Sequence, residues 1–231
     1  MSTLKRAPWP LVALGGLGAA VFVVPLAGLA SKVPWGNLAE LVTSPVVVDA
    51  LKLSLITSLS AASISLLLGV PLAWLLARVE FPGRSVLRAV VTLPMVLPPV
   101  VGGAALLFAR GRRGLVGAPI YETAGLLLPF SGWGVVVANV VVAMPFLVIT
   151  VEGALSGIDP RYEAAAASLG ASRLTVFRRI TVPMIAPSLR AGVVLAWARA
   201  LGEFGATITF AGNLQGRPQP LPLAVFIALQ S

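Results

Sequence analysis

The chain is 231 residues long, 58% hydrophobic and only 11% charged, with a mean hydropathy of +0.96. An ordinary soluble domain is about 45–50% apolar and about 25% charged, so this composition excludes disorder, a coiled coil and a typical soluble enzyme, and leaves an integral membrane protein. The net charge is +9 and there is no Cys and no His, which removes disulfides, thiol nucleophiles, histidine bases and Cys/His metal sites together.

In chain order, residues 11–30 form a run of 20 residues without a charge, preceded by Lys5 and Arg6. That run is longer than the roughly 7–15 apolar residues of a cleaved leader, so an uncleaved membrane helix is expected. Further apolar runs cover 53–77, 89–109 and 132–151, and a fifth, 191–211, is broken only by Arg199 and Glu203. About 20 apolar residues cross the roughly 30 Å hydrocarbon core as a helix. The sequence therefore predicts an all-α membrane bundle of about five spans; the run 221–230 is too short to cross.

Orientation follows from the Lys and Arg content of the loops. With the N-terminus in the cytoplasm, Lys5, Arg6, Arg78, Arg84, Arg88, Arg161, Arg173, Arg178, Arg179 and Arg190 lie inside. Lys32, Lys52, Arg110, Arg112, Arg113 and Arg217 lie outside. Residues 152–190 are then the longest cytoplasmic loop. The charges sit between the apolar runs, so membrane topology accounts for them better than a nucleic-acid face does.

Within the second run Ser54, Ser58, Ala61, Ser65 and Gly69 recur at helical spacing and make a small-residue face suited to close helix packing. The third run carries Pro94, Pro98 and Pro99. An unbroken helix is impossible there, and freed carbonyls at membrane depth need protein or water to satisfy them. This segment is expected to face the bundle interior or a cavity, with a purely structural kink as the alternative.

The loop beginning Asp159-Pro160-Arg161-Tyr162-Glu163 has strong helix signals. Asp159 is an N-cap candidate, Pro160 fits the first helical position, and Glu163 suits the positive end of the helix dipole. Ala164, Ala165, Ala166 and Ala167 follow, and Gly170 is a natural stop. Leu174, Phe177 and Ile180 predict a second short helix among Arg173, Arg178 and Arg179. Together they would form a helix–turn–helix knob whose alanine surface lets a partner approach. The plainer alternative is a solvated connector, although short helices are marginal without tertiary contacts.

Glu163, Ala165, Ala166 and Gly170, followed by Ile180 and Pro183, resemble the "EAA" loop of permease subunits in ATP-driven importers. Two departures stand out: the glutamate comes one residue early, and Val182 replaces the usual leucine. The segments 72–84 and 93–102 resemble the same permeases. Gly111-Arg112-Arg113-Gly114 and the segment 201–210 are most similar to molybdate permeases in the oxyanion branch, with sulfate and tungstate permeases close by.

The resemblance implies a type I importer (MetI-like) permease domain over 48–231, after an N-terminal tail, first helix and external loop over 1–47. It implies a coupling loop at about 152–190, in which Glu163, Ala165, Ala166, Gly170, Arg178, Arg179, Ile180 and Pro183 serve a partner ATPase. It also implies a bacterial inner-membrane location, a second copy of the chain as a homodimer partner, an extracytoplasmic oxyanion-binding protein, and a sixth span beyond residue 231. ATP and Mg would be bound by the ATPase subunit, with no cofactor on this chain.

The residues agree on the energy source. No Gly-x-x-x-x-Gly-Lys-Ser/Thr phosphate loop occurs, and the lysines are Lys5, Lys32 and Lys52 alone. Arg199 and Glu203 lie four apart on one helical face, and each charge at a span centre costs about 2.5–3.5 kcal/mol. They form either a structural ion pair or a site for a passing oxyanion whose field Glu203 largely cancels; gating or packing near the pathway is expected. Thr207, Thr209 and the broken backbone at Pro98 are candidates to hydrate an anion in transit. Two other classes stay open. A passive anion channel would not need the coupling loop, and an intramembrane serine enzyme would lack its usual base.

Overall fold

The structure, a computed structural model, describes residues 8–111, 114–115, 117–124, 129–212 and 219–228. Among these every regular element is helical. Lys5, Arg6, Arg112, Arg113, Arg217 and the end of the run at Gln230 lie outside the described residues. The chain divides into two compact units, Met1–Val48 and Asp49–Ser231.

The first unit holds α1 (Trp9–Lys32), a 3-10 turn (Trp35–Asn37) and α2 (Leu38–Thr43). Trp35 Nε1 donates to the Ala30 carbonyl at 3.0 Å and closes the end of α1.

The second unit begins one turn into α3 (Pro45–Arg78) and continues with α4 (Arg84–Val96), α5 (Pro99–Arg110), α6 (Gly117–Ala124) and α7 (Gly132–Ser156). After α8 (Arg161–Ser168), α9 (Arg173–Val176) runs through a π-helical turn (Phe177–Thr181) into α10 (Val182–Leu201). The short helices α11 (Gly205–Phe210) and α12 (Leu221–Ala228) follow. Four segments are long and apolar enough to cross a membrane: Trp9–Lys32, Pro45–Arg78, Gly132–Ser156 and Arg173–Leu201.

The bundle packs through small residues. Ser54, Ser58, Ala61, Ser65 and Gly69 are all on the buried face of α3, as their spacing predicts. A Cβ on Gly69 would come within 3.2 Å of Leu147, and one on Gly192 within 3.0 Å of the same side chain. Leu147 thus fills a space between α3 and α10 that only glycine leaves open. Around it Val148, Val151, Leu155, Ile185, Ala196 and Leu76 complete the core. Polar groups on the α3 face are used for joints: Trp197 Nε1 donates to Ser58 Oγ at 3.1 Å, and the Leu221 amide donates to Ser54 Oγ at 2.6 Å.

Three expectations are corrected. The run 89–109 is not one span: α4 ends at Val96 and α5 starts at Pro99, because Pro98 and Pro99 have no amide hydrogens to continue the ladder. The run 191–211 is not one helix either. α10 stops at Leu201, Gly202 takes the cap, and α11 starts anew at Gly205.

The supposed loop 152–190 shrinks to residues 157–172, since α7 runs to Ser156 and a continuous helix of 29 residues begins at Arg173. The expected second short helix is therefore the opening of a membrane span. Pro183 is accommodated rather than terminating: the preceding turn widens so that the Val182 amide reaches Phe177 O. That widening frees carbonyls where the proline ring would otherwise clash. A consequence is that Arg190 moves from the cytoplasmic loop into the span.

Candidate functional site

Two groups of residues carry the candidate chemistry, one at the end of the bundle bearing α8 and one around the break between α10 and α11.

At the first, Asp159 Oδ1 accepts from the Arg161 amide at 2.9 Å and starts α8. Gly170 ends it with φ +83°. Its amide donates to Ala167 O at 3.0 Å and the Ala171 amide to Ala166 O at 3.1 Å, a Schellman closure that requires the left-handed residue. Between these caps Ala165 is exposed and Ala166 half-buried. Tyr162 on α8 and Leu169 at its C-cap are exposed.

Glu163 faces inward. Its Oε1 accepts from Thr181 Oγ1 at 2.8 Å and lies 3.4 Å from Arg78 Nη2, which also reaches the Ile158 carbonyl at 3.5 Å. One carboxylate thus joins α8 to the last turn of α3 and to the π-helical turn. A cleft of about 760 Å³ runs beneath α8, lined by Trp74, Arg78, Ala164, Arg173, Phe177 and Thr181 among others. Arg178 and Arg179 project outward from the π-helical turn, Ile180 is half-buried, and Pro183 sits exposed in the first turn of α10.

A second clamp holds the same end of the bundle. Arg88 on α4 pairs with Glu152 on α7, its Nε donating at 2.9 Å, and its Nη2 also reaches the Leu76 carbonyl at 3.5 Å. The pairings of Arg78, Thr181, Arg88 and Glu152 are not readable from sequence spacing. The available signal was Glu152 itself, a carboxylate ending a long apolar run, which demands a partner.

At the second group, Arg199 Nη1 pairs with Glu203 Oε2, while Glu203 Oε1 accepts from the Ala206 amide at 2.7 Å. Glu203 is buried and bridges the break, ending one helix and capping the next. Thr207 is buried, its hydroxyl 3.5 Å from Asn139 Oδ1 on α7, and Thr209 donates back to the Gly205 carbonyl at 2.8 Å. Both hydroxyls are therefore engaged within the protein in this arrangement.

Pro94 is half-buried inside α4, whereas Pro98 and Pro99 sit exposed at the start of α5. There α5 and α11 approach closely: a Cβ on Gly205 would lie 2.9 Å from Pro99 Cβ, and one on Gly103 would lie 2.7 Å from Thr209 Cβ.

This geometry defines an all-helical, multi-pass membrane protein with a capped helix tethered at one end of the bundle and broken helices at the other. The chain belongs to the family described as binding-protein-dependent transport system inner membrane component, whose model matches residues 66–226.

Among its relatives, the molybdenum transport system permease protein ModB of Mycobacterium tuberculosis is 47% identical, covering 94% of this chain and 82% of the relative. The Escherichia coli K12 protein of the same name is 46% identical over 79% of this chain and 80% of its own length. The sulfate transport system permease protein CysT of Salmonella typhimurium is 36% identical over 91% of this chain and 76% of its own length.

The fold is shared with a chain from a crystal structure of a bacterial ABC transporter involved in import of the acidic polysaccharide alginate. The TM-score is 0.62 at 23% identity, covering 84% of this chain and 73% of that one. The type I importer permease fold implied by the sequence is the one observed, and the protein is a multi-pass inner-membrane component of a binding-protein-dependent transport system.

Proposed function

We propose that this chain is the permease subunit of an ATP-driven importer of molybdate, with tungstate as a close second substrate. The observation that supports it best is the 47% identity over 94% of the chain to a molybdenum transport permease, against 36% to a sulfate permease. Two copies would form the translocation path, an extracytoplasmic binding protein would deliver the anion, and ATPase subunits would dock on the cytoplasmic side. ATP and Mg belong to that ATPase; this chain carries no catalytic step.

The coupling follows from the joints. α8 and its C-cap offer exposed Ala164, Ala165 and Ala167 with Tyr162 and Leu169, a surface that fits into a groove of the ATPase. A displacement of α8 is passed through Glu163 to Arg78 on α3 and to Thr181 ahead of α10. α3, α7 and α10 interlock at Leu147, so they move as a block, while α5 and α11 connect to α4 and α10 only across backbone breaks at Pro98 and Gly202. Those breaks are the hinges of a gate, and the Arg199–Glu203 pair holds one of them. Pro94, Pro98, Pro99, Thr207 and Thr209 belong to this gating region, Thr207 as packing against Asn139.

The test is uptake of labelled molybdate, tungstate and sulfate by vesicles reconstituted with the partner subunits. Molybdate and tungstate should accumulate and sulfate should not; accumulation of sulfate alone would assign the chain to the other oxyanion class.

A further inference from the structure

From the placement of Arg190 we infer an anion-contacting residue in the transport path, on the face of α10 turned away from its own bundle. The inference rests on the importer function proposed above and adds a residue to its path.

Arg190 lies well inside the 29-residue apolar segment Arg173–Leu201. The level of the charged end of the bundle is marked by Thr181, which bonds Glu163 beside Arg78. Nine residues farther along, Arg190 stands about 13 Å deeper at 1.5 Å per residue, near the middle of a roughly 30 Å core. The neighbouring helices agree: Gly192, two residues on, packs against Leu147 and Thr150 of α7, and Gly69 of α3 meets the same leucine.

A charge at that depth costs several kcal/mol and is ordinarily paired. Even the arginines nearer the ends of the bundle, Arg78, Arg88 and Arg199, each face a glutamate. Arg190 does not. Among the described residues it has no ion pair and no side-chain hydrogen bond, and it is exposed. Snorkelling to the headgroups serves residues near helix ends, and Arg190 is far from both ends of its segment.

With no partner among the described residues of its own bundle, the guanidinium faces the path between the two copies proposed above, where water or an anion stands beside it. The same exposed side of α10 carries Pro187, Ala191, Val194 and Ala198, mostly small residues that leave room at the charge. A guanidinium offers a planar fork of donors that suits the oxygens of a tetrahedral dianion, and no carboxylate cancels Arg190 as Glu203 cancels Arg199.

The chain contains no cysteine, so Arg190→Cys would carry the single thiol. In the assembled transporter, with ATPase and binding protein present, this thiol should react with a membrane-impermeant anionic thiosulfonate, and molybdate delivered by the binding protein should slow the reaction. Val194→Cys and Phe108→Cys serve as comparison positions.

Arg190→Gln should lower molybdate uptake at least about tenfold, the scale of one charge-assisted hydrogen bond. Arg190→Lys should restore a substantial part of it, and ATPase assembly should be unchanged in both. Labelling of the Arg190→Cys thiol only by a lipid-dissolved maleimide would overturn the inference, because it would place the residue against acyl chains. Normal uptake by Arg190→Gln would overturn it as well. The labelling pattern is read without any transport assay, so a failure of the molybdate assignment would show as absent uptake in the unmodified protein, with the thiol still reached from water.

Discussion

Replacing Glu163 by alanine removes a side chain that ties α8 both to α3 and to the π-helical turn ahead of α10. Thr181 is 1% exposed and its hydroxyl would lose its acceptor, a loss of about 1–3 kcal/mol for a buried polar group left without a partner. Arg78 and Glu163 have side chains 14% and 22% exposed, between the surface limit of about 0–1 kcal/mol and the roughly 3–5 kcal/mol of breaking a buried pair. Taking about 1 kcal/mol for the pair, the docked state of α8 loses about 2–4 kcal/mol. At about 1.4 kcal/mol per factor of ten, its ratio to the undocked state falls by between about thirtyfold and several hundredfold. An eight-residue helix has little stability of its own to resist this.

Amide hydrogen exchange in detergent reads the effect directly. Protection across Arg161–Ser168 should collapse while the amides of α7 and α10 keep theirs. In reconstituted vesicles ATP hydrolysis should continue with little uptake. Glu163→Gln keeps an acceptor for Thr181 and should fall between the two. Unchanged protection of α8 in Glu163→Ala would refute the tether and with it the transmission through Arg78 and Thr181.

Other expectations follow from single positions. Gly170→Val places a β-branched residue at φ +83°, at a cost of about 1–2 kcal/mol; uptake per ATP should drop while thermal stability of the bundle is unchanged. Gly205→Ala puts a Cβ 2.9 Å from Pro99, and the overpacking should lower the melting temperature by an amount equivalent to about 1–3 kcal/mol. Thr207→Val removes a hydroxyl that faces Asn139, so stability should fall slightly and the KM for molybdate uptake should stay the same; a raised KM would return Thr207 to the path. Exchanging the binding protein for a sulfate-specific one that still docks should admit some sulfate, because selectivity follows the component that binds tightly.

Much of the bundle was legible because membrane burial writes long apolar runs. The small-residue face of α3 could be read from spacing alone, since close helix contact tolerates little else along that stripe. The caps of α8 were equally readable: Asp159 and Gly170 are local devices whose partners lie within a few residues. The π-helical turn was not, because its cause is the clash of Pro183 with a carbonyl one turn back, and the same proline reads equally well as a helix start.

The break after Leu201 was hidden for a related reason. The spacing of Arg199 and Glu203 predicts a helical i, i+4 pair, and the pair exists, but the same carboxylate also caps α11, which no spacing rule reveals. The partners of Glu163 were out of reach for the opposite reason. Arg78 lies 85 residues away in sequence, and only the packing of α3 beside α7, with both ending at the same level, brings it to α8. Arg190 reads as a loop charge in the sequence because Arg173, Arg178 and Arg179 hide the start of the span; its depth follows from the helix that opens at Arg173.

The most direct test of the importer is accumulation against a gradient. Vesicles containing this chain, its ATPase and the loaded binding protein should raise internal molybdate above the external concentration with ATP, and should fail to do so with a non-hydrolysable analogue or when the binding protein is left out. Equilibration to equal concentrations, with the same rate whether or not ATP is hydrolysed, would identify a passive anion channel and contradict the coupling through α8.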